Sequence, residues 1–170
     1  MKLKNKVAIV TGGGKGIGEE ISLGLAKEGA KVAIADLDKE NSSNVVKEIV
    51  KNNGDAIYVE TDVSNEASVK NLISETINRF DQIDILINNA GIRHVKKLEN
   101  HDLSDWNDMI SVNLTGPYIC CQAVIPEMKK IGKGKIINFG SIASFMGRPD
   151  RVGYVAAKSG ILGLTRALAI

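Results

Sequence analysis

Five short apolar runs, separated by stretches with helical periodicity, constrain this chain more than any other feature. The first, Val7-Ala8-Ile9-Val10, ends at the loop Thr11-Gly12-Gly13-Gly14-Lys15-Gly16-Ile17-Gly18. A run that is apolar throughout and bounded by glycine predicts a strand buried on both faces. Ile17, Ile21, Leu25 and Ala26 then recur at helical spacing, and Gly29 closes that helix. The pattern repeats. Lys31-Val32-Ala33-Ile34-Ala35 ends at Asp36, and a helix carrying Val45, Val46, Ile49 and Val50 stops at Asn53-Gly54. Ala56-Ile57-Tyr58-Val59 leads to Asp62-Val63, followed by a stripe of Val69, Leu72, Ile73, Ile77 and Phe80. Ile83-Asp84-Ile85-Leu86-Ile87 runs into Asn88-Asn89-Ala90-Gly91. After a polar segment, helical spacing passes through Trp106, Met109 and Ile110 and resumes from Leu114 to about Met128. Residues 134–139 form the fifth strand, and the chain is helical from about Gly153 onward. Strands alternating with crossover helices predict an α/β fold, a Rossmann-type doubly wound parallel sheet covered on both faces. No repeat, low-complexity tract or linker interrupts it, so residues 1–170 read as one domain.

Composition narrows the function classes. The chain is 44% hydrophobic and 25% charged, as in an ordinary globular protein. A net charge of +2 gives no reason to expect nucleic acid or an anionic membrane as partner. The apolar runs are too short for a bilayer span or for a signal-peptide core, so a cytoplasmic location is expected. Cys120 and Cys121 are adjacent in an apolar stretch with no further ligand for a metal, which reads as buried packing. His94 and His101 lack paired ligand spacing and read as loop residues, while Trp106 reads as packing.

The glycine loop stands where a phosphate cradle needs it, after a strand and before a helix. Gly12, Gly16 and Gly18 let the backbone turn and approach a pyrophosphate, whose charge the helix N-terminus favours. Lys15 and Ile17 belong to the same cradle. The spacing is Gly-x-x-x-Gly-x-Gly, and alone it is also compatible with a plain tight turn. Asp36 adds weight, because it ends the second strand 18 residues after Gly18. A carboxylate there can accept hydrogen bonds from the adenosine ribose and repels a 2′-phosphate, which favours NAD over NADP. Lys15 argues mildly for NADP. Asp62 and Val63 end the third strand where adenine would lie, although Asp62 is equally readable as a turn residue.

Late in the chain, Tyr154 and Lys158 stand four positions apart, with Ser141 thirteen residues before the tyrosine. The pair shares one helix face. A free phenol keeps its proton well above neutral pH, and a neighbouring ammonium favours the phenolate, making the tyrosine a usable acid or base. Ser141, after the fifth strand, can hydrogen-bond a substrate oxygen while Tyr154 exchanges its proton. A Tyr-x-x-x-Lys pair alone is as often a solvated helix face. The cradle, Asp36 and Ser141 set it apart.

Taken together, these residues resemble the short-chain dehydrogenase/reductase family along the whole chain. The resemblance rests on Thr11 to Gly18, Asn88 to Gly91, Asn113, Ser141, and the Tyr154–Lys158 pair, in that order. It implies hydride transfer between NAD(P) and a secondary alcohol or ketone, a 3-oxoacyl thioester or a sugar among them. It implies that Asn113 holds a water in a proton relay from Lys158, that Lys158 binds the nicotinamide ribose, and that Asn89, Ala90 and Gly91 line the cofactor. It also implies a homo-oligomer, usually a tetramer, built on helices around residues 103–131 and 153–170. Family members continue with further strands, a Pro-Gly turn and a substrate lid, so the stop at Ile170 is expected to leave the last strands missing and the fifth strand as an open edge. Two readings therefore remain: a competent NAD-linked oxidoreductase, and a catalytically impaired remnant that binds the dinucleotide. Arg93, His94 and the loop 145–151 border the substrate side, but their chemistry names no substrate.

Overall fold

Strand β1 (Val7–Thr11) is buried at every position, and its side chains divide between two cores. Val7 and Ile9 point to one face of the sheet, Val10 to the other. This period of two, with both faces apolar, is what a central parallel strand requires. The computed structural model describes residues 1–170. From β1 the chain runs through α1 (Gly16–Lys27), β2 (Lys31–Asp36), α2 (Lys39–Lys51), β3 (Asp55–Glu60), α3 (Glu66–Phe80) and β4 (Ile85–Asn88). Then follow α4 (Leu103–Ile110), α5 (Gly116–Lys130), β5 (Lys135–Asn138) and α6 (Val152–Leu168). The five strands are all parallel in the order β3-β2-β1-β4-β5. The predicted doubly wound Rossmann-type sheet is therefore the one observed.

Helices α1 and α2 cover one face over Val10, Val32, Ile34 and Ile87, while α3 and α5 cover the other over Ile9, Ala33, Val59 and Leu86. Cys120 and Cys121 lie in the second core, where burial pushes the Cys120 thiol up to about 12 and the Cys121 thiol up to about 11. They act as small apolar side chains. Strand order reverses at β1, whose neighbours are β2 on one side and β4 on the other, so a crevice opens above the carboxyl ends of β1 and β4.

The boundaries differ from expectation in two places. The fourth strand begins at Ile85 instead of Ile83. Asp84, just before it, is still tied to both neighbouring strands by its backbone, and its carboxylate accepts from the Val7 backbone N–H at 3.0 Å and from Lys6 Nζ at 2.7 Å. Burial alone would raise this carboxyl, but Lys6, the Val7 N–H and Gln82 together hold it below the usual carboxylate range. The second difference lies between α4 and α5. They are joined without a break by a π-helical turn, Ser111–Thr115, and a period of 3.6 cannot report such a widened turn. Strand β5 pairs only with β4, and its Ile137 is 51% exposed, so it forms one edge of the sheet.

Candidate active site

The first part of the site is made by backbone. Gly12 and Gly16 sit at φ +63° and +57°, a region that favours glycine. Gly18 is required for a different reason: a Cβ there would strike the Gly12 carbonyl oxygen, so α1 could not sit this close to β1. Thr11 fastens the loop across the switch point. Its Oγ1 accepts from the Asn89 and Ala90 N–H groups at 3.1 and 3.0 Å, and Asn89 Nδ2 donates to the Thr11 and Gly12 carbonyls at 3.0 Å. The result is a cleft of about 440 Å³ at the N-terminus of α1. Gly12, Lys15, Ile17 and Gly18 line one side, Asp36, Asp62 and Val63 another, and Asn89, Ala90 and Gly91 the floor. A glycine cradle at a helix N-terminus over a topological switch has the donors and the dipole that a pyrophosphate needs, so these residues fit a dinucleotide.

Several of the side chains hold the cleft together as well as line it. One carboxylate oxygen of Asp36 accepts from the Gly14 N–H at 3.0 Å and the other from the Asp38 N–H at 3.0 Å. Asp36 thus pins the loop and still has free lone pairs. Asp62 closes a turn, its Oδ1 accepting from the Ser64 N–H at 2.9 Å and the Ser64 hydroxyl at 2.6 Å. It is a turn residue that also lines the cleft wall. Gly16 turns the chain into α1.

The second part is assembled on α6. Gly153 and Gly160 let that helix approach closely, because Cβ atoms there would meet Met109 at 3.0 Å and Leu114 at 2.8 Å. Lys158, 5% exposed, donates from Nζ to the Phe139 carbonyl at 2.7 Å and lies 6.0 Å from the centre of the Tyr154 ring. Burial pushes its pKa down. Asn113, fully buried in the π-helical turn, donates to the Met109 and Ile92 carbonyls at 2.9 and 3.0 Å and accepts from the Ile92 N–H at 3.2 Å. A Cβ on Gly91 would lie 2.8 Å from Asn113 Oδ1 and 3.8 Å from Lys158 Nζ. Gly91, Asn113 and Lys158 therefore converge where the cleft ends.

Ser141 caps a 3₁₀ turn at Ile142–Ser144, its Oγ accepting from the Ala143 N–H at 3.1 Å. Ser144 locks that turn to α6 by donating to the Lys158 carbonyl at 2.7 Å, while its own Oγ accepts from the Ser141 N–H at 3.0 Å. Ser141 and Tyr154 share a pocket of about 280 Å³ with Arg93, Ile142, Ala143, Arg148 and Arg151. The four residues named from the motif, Asn113, Ser141, Tyr154 and Lys158, thus lie on three elements packed together, with Asn113 and Lys158 beside Gly91.

Comparison with known proteins decides the family. The family model described as short chain dehydrogenase matches residues 6–170. The chain belongs to that family. It is 42% identical over 168 residues to a 3-oxoacyl-[acyl-carrier-protein] reductase of Synechocystis sp., covering 98% of this chain and 68% of that one. It is equally similar, 42% over 168 residues, to an uncharacterized oxidoreductase of Thermotoga maritima, covering 99% of this chain and 66% of the relative. Among solved structures it is similar to levodione reductase, with a TM-score of 0.94 at 32% identity over 98% of this chain and 66% of that one. The chain spans about two thirds of the length of the curated relatives it matches.

Within this dehydrogenase fold, two roles escaped the sequence. Thr11 was part of the quoted loop, but its clamp on Asn89 and Ala90 spans 78 and 79 positions and leaves no local mark. Ser144 had a signal, a Ser-x-x-Ser spacing from Ser141 that resembles a capping box. Arg93, Arg148 and Arg151, expected on the substrate side, line the pocket of Ser141 and Tyr154.

Proposed function

We propose that the protein is an NAD-linked oxidoreductase interconverting a secondary alcohol and a ketone, with acyl thioesters among the substrates. One domain carries both the dinucleotide cleft and the catalytic groups. The observation that carries this reading is the pocket shared by Ser141 and Tyr154, beside the point where Lys158 and Asn113 meet Gly91 at the end of the cleft. NAD, when bound, supplies the acceptor for the hydride that leaves the alcohol carbon. Ser141 steadies the substrate oxygen through its hydroxyl, and Tyr154 takes the alcohol proton at its own oxygen. Lys158 spends one donor on Phe139, which leaves two N–H groups for the cofactor ribose and the phenolate. The Asn113 side chain is engaged with Ile92 and Met109, so it positions the floor next to Gly91.

Asp36 supports NAD over NADP, since a carboxylate on the cleft wall repels a 2′-phosphate. Thioester substrates are supported by relatives named as a 3-oxoacyl-[acyl-carrier-protein] reductase and, at 38% identity over 170 residues, a hydroxy(phenyl)methylsuccinyl-CoA dehydrogenase subunit of Thauera aromatica. No helix is long and apolar enough to cross a membrane. We place the protein in the cytoplasm, as a homo-oligomer using the faces of α4, α5 and α6. A second reading is dinucleotide binding without useful turnover.

The test is NAD-linked oxidation of a panel of secondary alcohols by the 170-residue chain, followed by nicotinamide absorbance. We expect turnover that falls about a hundredfold in Ser141→Ala, the loss of one oxygen-stabilising donor. Binding of NAD with no turnover on any alcohol would favour the second reading. Absence of both would overturn the two together.

A further inference from the structure

The pocket holding Ser141 and Tyr154 is strongly basic. Three of its seven lining residues are arginines, Arg93, Arg148 and Arg151, and none is acidic. The ion pairs of the molecule lie elsewhere: Lys6–Asp84, Lys70–Glu66, Arg79–Asp55, His94–Asp108, Lys96–Asp105 and Lys130–Glu127. Asp150, between two of the arginines in sequence, takes part in none of them. Arg151 Nε is buried without a hydrogen-bond partner. Arg151 makes no ion pair, so the charge of this part-buried guanidinium is uncompensated, and an oxyanion in the pocket would offset it. Arg151 is also the N-cap of the 17-residue helix α6, whose dipole favours negative charge at this end.

We propose that this pocket selects alcohol or ketone substrates that carry an oxyanion, a carboxylate or a phosphate, close to the reacting carbon. Arg151, partly buried, and Arg93 and Arg148, at exposed positions, hold the anion. The planar fork of each guanidinium suits an oxyanion better than a neutral ester or amide. The proposal rests on the reading of Ser141 and Tyr154 as the groups that face the reacting oxygen. It adds what the rest of the substrate must be.

The experiment uses the ¹⁵N-labelled 170-residue chain and follows the arginine Nε–Hε signals. It is titrated with 3-hydroxybutyrate, its neutral amide 3-hydroxybutyramide, glycerol 3-phosphate and glycerol. Nicotinamide fluorescence of NADH is titrated on the same samples. The expected result is a saturable shift of the Arg151 signal by an anion, with affinity about tenfold above that of its neutral counterpart. Arg151→Met is expected to erase that preference. Arg148→Met, at an exposed position with little bearing on folding, is expected to weaken it about threefold. A response to 3-hydroxybutyrate alone identifies a carboxylate site, one to glycerol 3-phosphate alone a phosphate site, and either supports the proposal. Equal affinities for charged and neutral probes, or a preference that survives both variants, would overturn it. NADH binding without anion preference defeats this inference alone, whereas anion preference without NADH binding supports the basic site and defeats the proposed oxidoreductase.

Discussion

The glycine cleft and the tyrosine pocket lie at the carboxyl ends of the strands of one sheet, yet they are built by opposite means. In the cleft the backbone does most of the work. Two left-handed glycines, a close contact at Gly18 and a threonine clamp set its shape, and the strands beneath are buried on both faces. In the pocket, single side chains do the work. Ser141, Tyr154 and Lys158 come from a 3₁₀ turn and from α6, above a strand with one neighbour, and the residues 145–150 beside them are exposed. The cleft should be the more sensitive to a change at its glycines, and the pocket the more sensitive to the loss of one functional side chain.

The largest expected effect comes from breaking the cleft at its backbone. Gly18→Ala places a Cβ on the Gly12 carbonyl, and overpacking of this kind costs about 3 kcal/mol. NADH affinity measured by fluorescence should fall by more than tenfold while Ser141 and Tyr154 stay in place. Unchanged affinity would mean that α1 has more room than the structure gives it.

Next comes a change that ignores the division between the two regions. Asp84→Asn removes the carboxylate that ties β4 to Lys6 and Val7 at the opposite end of the sheet, worth about 2 kcal/mol of stability. Chemical denaturation should register this loss. Because the folded carboxyl is held below its ordinary value, the stabilisation is present above the unfolded carboxylate range, near pH ~4, and is lost as pH falls through the folded value. The variant should lack that acid-side decline. A decline of the same size in the variant would assign it to other carboxylates.

Smaller effects separate positioning from selection. Asp36→Asn should reduce the preference for NADH over NADPH about tenfold, read as the ratio of two dissociation constants. Since Asp36 also pins Gly14, both affinities should drop a little; a fall in both with the ratio preserved would make Asp36 a loop fastener only. Ser144→Ala should be the mildest change, about 1 kcal/mol, since it frees the 3₁₀ turn from the Lys158 carbonyl. It should raise KM for an alcohol and leave NADH affinity unchanged. Weaker NADH binding in this variant would show that the two regions are not separable.

This contrast also explains what the sequence could disclose. Strand β1, the helix stop at Gly29 and the whole order of elements were legible because apolar runs and glycine breaks are local signals. The cleft was legible for the same reason, from Gly12 to Gly18 and from Asn89 to Gly91. The start of β4 was misplaced because Ile83 is as buried as the strand, so the apolar run gives no mark of where the ladder begins. The π-helical turn around Asn113 escaped a reading based on 3.6 residues per turn. The basic character of the pocket was hidden for a plainer reason. Arg93 stands 55 and 58 positions before Arg148 and Arg151, and only the fold brings the three together.

The claim that two separately built regions meet to perform one reaction is tested most directly on Tyr154→Phe. NADH binding, read by nicotinamide fluorescence, is measured beside turnover of a secondary alcohol on the same preparation. The account predicts an unchanged dissociation constant and a turnover lower by about a hundredfold or more, the loss of the group that exchanges the proton. Turnover near that of the unaltered chain, with the cofactor still bound, would contradict it.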